Sequence, residues 1–258
     1  MAEAKKSSSK FSAAGKLLLV AVGILVIALG ASSIVSKVGV NAGSVFGGLT
    51  KSGSTAAAGA GAGAVSSGTG TYSPDPSTLA VSSASPGKKY QRAAFGESWT
   101  DKVDVEGGGN GCDTRNDILH RDLTNKTYVK TSKCPYAIAT GTLADPYTGR
   151  AISFTRGAET SSTVQVDHLV ALENAWDSGA WAWDVAQRTR IANDPANLLA
   201  SDGSANMSKG SKTADRWLPP NPGFQCRYVK LQIMVKNKYR LTVTASEKAT
   251  MQRFAGRC

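Results

Sequence analysis

The sequence predicts an α+β domain over residues 89–258, and three observations carry that reading. Thr163-Val-Gln-Val-Asp167 alternates apolar and polar residues, as a half-buried strand does. Tyr228 to Tyr239 spaces Val229, Ile233 and Lys236 along one face of a helix. Thr244-Ala-Ser-Glu247 has the form of a capping box and opens a last helix over 245–255. Between these, Glu173 to Ala192 reads as mostly helical, broken near Ser178-Gly179. Asn197-Leu-Leu-Ala200, after Asp194-Pro195, reads as a second strand, and Lys212 to Trp217 as a short helix stopped by Pro219-Pro220.

Two segments precede this domain. Residues 1–40 carry Lys5, Lys6, Lys10 and Lys16 ahead of the apolar run Leu17–Leu29, the layout of a secretory signal. Read onward to Val35, the run approaches the roughly 20 residues of a membrane span, so a retained single anchor is equally consistent. Either way the lysines stay inside, and the remainder lies outside the cytoplasm, secreted or anchored. Residues 41–88 are rich in Gly, Ala, Ser and Thr, which cannot bury enough apolar surface to order themselves, and read as a flexible linker.

The net charge of the 258-residue chain is +11. Residues 89–258 hold 23 basic against 17 acidic residues, so the excess is not confined to the tail. From Cys226 to Cys258 there are eight Lys and Arg (Lys230, Lys236 and Arg240 among them) against Glu247 alone. Such a balance points to a polyanion, nucleic acid or anionic lipid, without choosing between them. The four cysteines form no C-x-x-C pair and the chain has two histidines, which argues against a zinc site of Cys and His. An even count behind an export signal reads as two disulfides. Of the three possible connectivities, nearest neighbours give Cys112–Cys134 and Cys226–Cys258.

Hydrolysis of a phosphodiester needs a base to activate water, a divalent cation to offset charge, and a group that orients the base. His120 and His168 are the candidate imidazoles. His168 has the better surroundings, because it follows Asp167 at the end of a predicted strand, where adjacent side chains diverge and can take different roles. Asp194-Pro-Ala-Asn197 and Asn206-Met-Ser-Lys209-Gly-Ser-Lys212 follow. Asp167 and Asn206 are hard oxygen ligands of the number that suits Mg²⁺. Lys209 and Lys212 are candidate phosphate contacts, and Arg115 a candidate bidentate clamp or a structural ion-pair partner. His120 reads as a surface histidine, and Trp176, Trp181, Trp183 and Trp217 as core.

Taken in order, several motifs resemble the HNH endonuclease superfamily, and most closely exported bacterial proteins related to the C-terminal domain of GmrSD-type restriction enzymes. They are Gly111-Cys-Asp-Thr-Arg-Asn-Asp-Ile-Leu119, Asp145-Pro-Tyr-Thr-Gly149, Val166-Asp-His168, Ala192-Asn-Asp-Pro-Ala-Asn-Leu-Leu199, Asn206-Met-Ser-Lys-Gly and Trp217-Leu-Pro219. The resemblance implies a ββα-metal core with additional helices. It makes His168 the general base, Asp167 the neighbouring metal ligand and Asn197 the residue that braces the turn and orients the base. Asn206 stands where the strict motif has its final histidine, so the chain reads H-N-N, which favours Mg²⁺ (or Mn²⁺) over softer metals. The long interval from His168 to Asn197 would hold an inserted helical segment. The implied function is an exported metal-dependent endonuclease acting on DNA, with RNA as a further substrate, no small-molecule cofactor, and membrane contact only through the N-terminal segment. Two alternatives stand beside it. One is a non-catalytic module, with a degenerate site, that binds nucleic acid or envelope polyanions. The other is a membrane-tethered structural protein.

Overall fold

The computed structural model describes residues 73–257. The expected signal or anchor over 1–40, the linker up to residue 72 and Cys258 lie outside the described residues, and with Cys258 the pairing Cys226–Cys258. No helix among the described residues is long and apolar enough to cross a membrane.

The domain is a mixture of helix and antiparallel sheet. Helix α1 (Thr114–Asp122) leads into strands β1 (Leu123–Thr131), β2 (Cys134–Ala144) and β3 (Ala151–Thr155), which form one antiparallel sheet in the order β1-β2-β3. Strand β4 (Val164–His168) pairs with β5 (Leu198–Asp202) in a second, two-stranded antiparallel sheet, with Asp167 opposite Leu199 and His168 opposite Leu198. The interval between these partners holds α2 (Leu172–Asp177), a 3₁₀ turn and α3 (Val185–Asn193), the inserted helical segment the spacing implies. Helix α4 (Gly203–Lys209) follows β5 directly, and α5 (Pro222–Lys238) and α6 (Ala245–Ala255) close the chain.

The two-residue period of β4 and β5 explains how they join two cores. Val164, Val166, Leu198 and Ala200 point into a cluster with Ile118, Leu119, Ile138, Leu143 and Phe154, between α1 and the larger sheet. Leu199, on the opposite face, joins Tyr147, Tyr228, Ile233 and Met251 beside α5 and α6. A third cluster, with Phe95, Trp176, Ile191 and Val235, covers the insertion.

Several expectations need correction. Strand β4 is covered on both faces, so Asp167 is buried and not turned to solvent. The helix expected over Lys212 to Trp217 is a turn; the local helix is α4, just upstream, capped by the Asp202 carboxylate on Ala205 N–H and ended by Gly210 at φ 54°. The linker does not run to residue 88. Leu79 is buried against α5 and α6, and Val81 bridges Val243. The Cys112–Cys134 disulfide is formed, tying the start of α1 to β2, and no described cysteine is free.

The helix expected from Tyr228 begins earlier, at Pro222, where Asn221 caps it through Gly223 N–H. Thr244 caps α6 by accepting from Glu247 N–H at 3.1 Å. The Glu247 carboxylate turns inward and meets Lys236 Nζ at 3.0 Å, with both side chains at most 1% exposed. Lys236, expected in a basic surface strip, is therefore the counter-charge of a buried pair. Breaking such a pair from one side strands a charge in the core and costs about 3–5 kcal/mol, whereas replacing both partners with apolar groups restores most of that. Accordingly, Lys236→Met alone lowers the urea-unfolding free energy by that amount, and Lys236→Met with Glu247→Leu recovers it. A single variant within 1 kcal/mol of the native protein, on the scale of an exposed pair, contradicts this.

Candidate active site

Asp167 and His168 end β4. Successive strand residues point to opposite faces, yet both line one cleft of about 370 Å³ with Asn206. Tyr90, Arg92, Trp99 and Glu173 also line it.

The His168 ring is held on two sides. Its Nε2 lies 2.9 Å from the carbonyl oxygen of Ala192, at the end of α3. A carbonyl only accepts, so Nε2 carries the proton and Nδ1 keeps its lone pair. The indole of Trp99 stacks on the imidazole with centroids 5.4 Å apart and planes 14° from parallel. Trp99 itself has φ 58°, a left-handed backbone that a bulky residue adopts only where its surroundings impose it. Burial, joined by the nearby Arg92 charge, lowers the His168 pKa to about 3, so the imidazole is neutral at ordinary pH.

Asn197 works at the same helix end. It is fully buried; its side-chain oxygen accepts from Val170 N–H at 2.8 Å, and its amide nitrogen donates to the carbonyls of Val170 and Ile191, each at 3.2 Å. It thus fixes the carbonyl beside the one that holds His168.

Asp167 sits among donors. Tyr147 Oη donates to Oδ2 at 2.5 Å and Lys209 Nζ to Oδ1 at 2.9 Å; Lys209 also donates to the His168 carbonyl at 2.7 Å. Burial raises the Asp167 pKa, and the Lys209 ammonium works against that rise. Tyr147 is delivered by the turn Asp145-Pro-Tyr-Thr-Gly149. There the Asp145 carboxylate accepts from the Tyr147 and Thr148 N–H groups and from Asp202 N–H, and Gly149 takes φ 74°.

Asn206 stands one turn before Lys209 on α4, and its amide nitrogen donates to Gln165 Oε1 at 2.8 Å, leaving the carbonyl oxygen as the end for a hard cation. Tyr147, Lys209 and the His168 backbone N–H donate to the Asp167 carboxylate, whose two oxygens offer about four lone-pair sites, so acceptor capacity remains. One carboxylate and one amide oxygen in a shared cleft fit Mg²⁺ or Mn²⁺, which complete their shells with water. Among the described residues no group of three or more His, Cys, Asp and Glu could hold a metal.

Two of the three expected nucleic-acid contacts are placed otherwise. Lys209 is fully buried on Asp167. Arg115 turns inward, donating to the carbonyls of Ser161 and Val164 and so anchoring the start of β4. Lys212 is exposed near the end of α4, where its ammonium reaches the Ser208 carbonyl. Of the other residues weighed from sequence, His120 is exposed, Trp176 is buried, Trp183 and Trp217 are half-buried, and Trp181 is 38% exposed.

Sequence reasoning missed Tyr147, Gln165, Trp99, Arg92 and Glu173 as neighbours of the site. Tyr147 had a signal, since it lies in a turn motif whose strict chemistry exceeds what a surface loop needs. The others come from segments far apart in the chain.

Because Lys209 neutralises a fully buried carboxylate, Lys209→Met should cost about 3–5 kcal/mol in urea unfolding, the usual loss when a buried pair keeps one charge. A loss under 1 kcal/mol would show that Asp167 does not depend on it.

Residues 113–254 match the family described as GmrSD restriction endonucleases, C-terminal domain. The chain is also 34% identical over 184 residues to an "uncharacterized secreted protein" of Arthroderma benhamiae, covering 70% of this chain and 82% of that protein. No solved structure matches it. The chain therefore belongs to the family of the GmrSD restriction endonuclease C-terminal domains, an HNH-type nuclease family.

Proposed function

We propose that this protein is an exported, metal-dependent endonuclease that hydrolyses phosphodiester bonds of DNA, with RNA as a further substrate. The observation that carries the reading is the fixed, neutral imidazole of His168 in one cleft with Asp167 and Asn206. We read β4, β5 and α4 as its ββα-metal unit, since the two paired strands run directly into the helix that carries Asn206.

In this reading Nδ1 of His168 takes the proton from the attacking water, while the Nε2–H bond to Ala192 holds the ring in place and disperses the positive charge that develops. The low affinity of His168 for a proton keeps it unprotonated; a phosphodiester brings negative charge beside the ring and strengthens it as a base. Asp167 and Asn206 would hold Mg²⁺ or Mn²⁺, which when bound supplies neutralising charge to the phosphoryl and leaving oxygens. Export is supported by the lysine-led apolar run, by the Cys112–Cys134 disulfide, which persists in oxidising compartments, and by the name of the fungal relative.

One observation favours a second reading. The Lys209 ammonium already neutralises Asp167, as expected if the site were a degenerate one in a module that binds nucleic acid without cutting it. Plasmid degradation separates the two readings. With Mg²⁺ or Mn²⁺ the full-length chain should nick and linearise plasmid, and excess EDTA should stop it; undiminished cutting in EDTA would rule out the metal mechanism. Plasmid retention without cutting in either metal identifies the binding module.

Two substitutions probe the residues. His168→Ala should lower turnover by about 10²–10⁴-fold, the range for loss of a general base, while DNA binding is retained. Near-native turnover in His168→Ala, with loss in His120→Ala, would move the site. Asn206→His should extend metal use to Ni²⁺ or Co²⁺, because imidazole suits these ions better than an amide oxygen does. A metal profile unchanged by that substitution takes Asn206 out of the ligand set.

A further inference from the structure

The cleft has a wall that the family match does not reach. The match spans residues 113–254, yet Tyr90, Arg92 and Trp99 line the cleft together with Asp167, His168 and Asn206. This upstream segment is clamped to the domain. Phe95 is 1% exposed in a cluster with Trp176 and Ile191. The Tyr90 ring lies 6.0 Å from Phe95 and 6.3 Å from Trp176. Trp176 Nε1 donates to the Lys88 carbonyl at 2.9 Å, and Arg188 Nε to the Ala94 carbonyl at 2.7 Å.

Arg92 opens a 3₁₀ turn (Arg92–Phe95) inside this clamp, so its backbone is fixed from both sides while its side chain is exposed. It is the only Lys or Arg among the described residues lining the cleft. Tyr90 is its hydrogen-bond partner, and Glu173, the remaining carboxylate of the lining besides Asp167, lies near that same tyrosine. No ion pair joins Arg92 to a carboxylate among the described residues. The other cation next to the site, Lys209, is buried on Asp167 and has no access to a ligand. A cleft that is to receive a phosphodiester beside two carboxylates needs an accessible positive charge, and a guanidinium matches phosphate oxygens with paired donors.

We propose that Arg92 is the phosphate-binding cation of this cleft, contacting a non-bridging oxygen of the phosphodiester placed before His168. The role rests on the nuclease reading of the same cleft. It assigns part of the active site to residues upstream of the family domain. Arg92 touches substrate and is in that sense catalytic; Trp99 and Tyr90 position the groups beside it.

The test uses the full-length chain and the variants Arg92→Ala, Arg92→Gln and Arg92→Lys, with two readouts. In turnover of plasmid with Mg²⁺, Ala and Gln should lower kcat by about 10²-fold, the scale of losing one oriented donor to transition-state charge, and Lys should recover about a tenth of native activity. In EDTA, where nothing is cleaved, anisotropy of a fluorescein-labelled duplex measures affinity against salt. Here Ala and Gln should make the log–log slope shallower by about 0.9, the contribution of one phosphate contact, and Lys should keep the native slope. If the native chain binds the duplex but cuts no plasmid, the nuclease reading fails and the salt slopes alone decide Arg92. Native kcat and slope in both Ala and Gln overturn the proposal. So does an equal loss of kcat in Lys and Ala with no change of slope, which would mark Arg92 as structural. The melting temperature of Gln, which keeps the stem as far as Cδ and a polar end without the charge, separates a folding defect from a lost contact.

Discussion

The burial of Asp167 is the constraint on which the rest of the site depends. A carboxylate taken out of water must be met by charge and donors or it loses its ionised form. Here the donors come from two distant segments, Lys209 at the end of α4 and Tyr147 in the turn after β2. To satisfy one side chain, the fold must bring α4, the 145–149 turn and the end of β4 together. Once Lys209 is seated it also grips the His168 carbonyl, so the group that balances Asp167 fixes the backbone from which the imidazole projects. The aromatic packing of Tyr147 with Trp217, Phe224 and Tyr228 then ties this polar centre to the core beneath α5. The polar and apolar parts of the structure specify the same arrangement, as expected of a sequence with one well-separated native state.

Much of this was legible in the sequence, and the limits have physical causes. The pattern at Thr163–Asp167 identified a strand because alternation is a local property, and the Thr244 cap was visible for the same reason. The helical insertion could be anticipated from the spacing between His168 and Asn197. Lys212–Trp217 is not the helix its lysines and tryptophan before Pro219-Pro220 suggest, because Gly210 ends the helix upstream. The three-stranded sheet went unread because β1 is exposed along most of its length and lacks a clear apolar face. Charge count treats Lys209, Lys212 and Lys236 alike, whereas one is buried on Asp167, one is exposed, and one is buried on Glu247. What distinguishes them is the position of an acid 42 residues away in the first case and of one on the next helix in the last, information that exists only in the folded chain.

The site also shows why an inserted segment between two paired strands need not loosen them. Leu169 and Val170, leaving β4, are bound by the backbone and side chain of Asn197, entering β5, so the insertion is closed at its neck. Its far part returns through α3, whose last turn supplies the Ala192 carbonyl to His168 and the Ile191 carbonyl to Asn197. The His168 ring and the Asn197 amide are therefore held by neighbouring carbonyls of one helix end. A shift of α3 would move both together and preserve their relation.

The remaining side of the imidazole is closed by Trp99, from a segment that precedes the matched family residues and is held by Phe95, Trp176 and Arg188. Because Trp176 and Arg188 belong to the insertion, the upstream segment is docked on the insertion as well as on the end of β4, where Trp99 meets His168. The insertion is thus the common support of the helix end that sets the tautomer and of the residues that cover the ring. A positive φ at Trp99 is the local cost of placing an indole flat on His168, and packing of this density around it is what makes that cost tolerable.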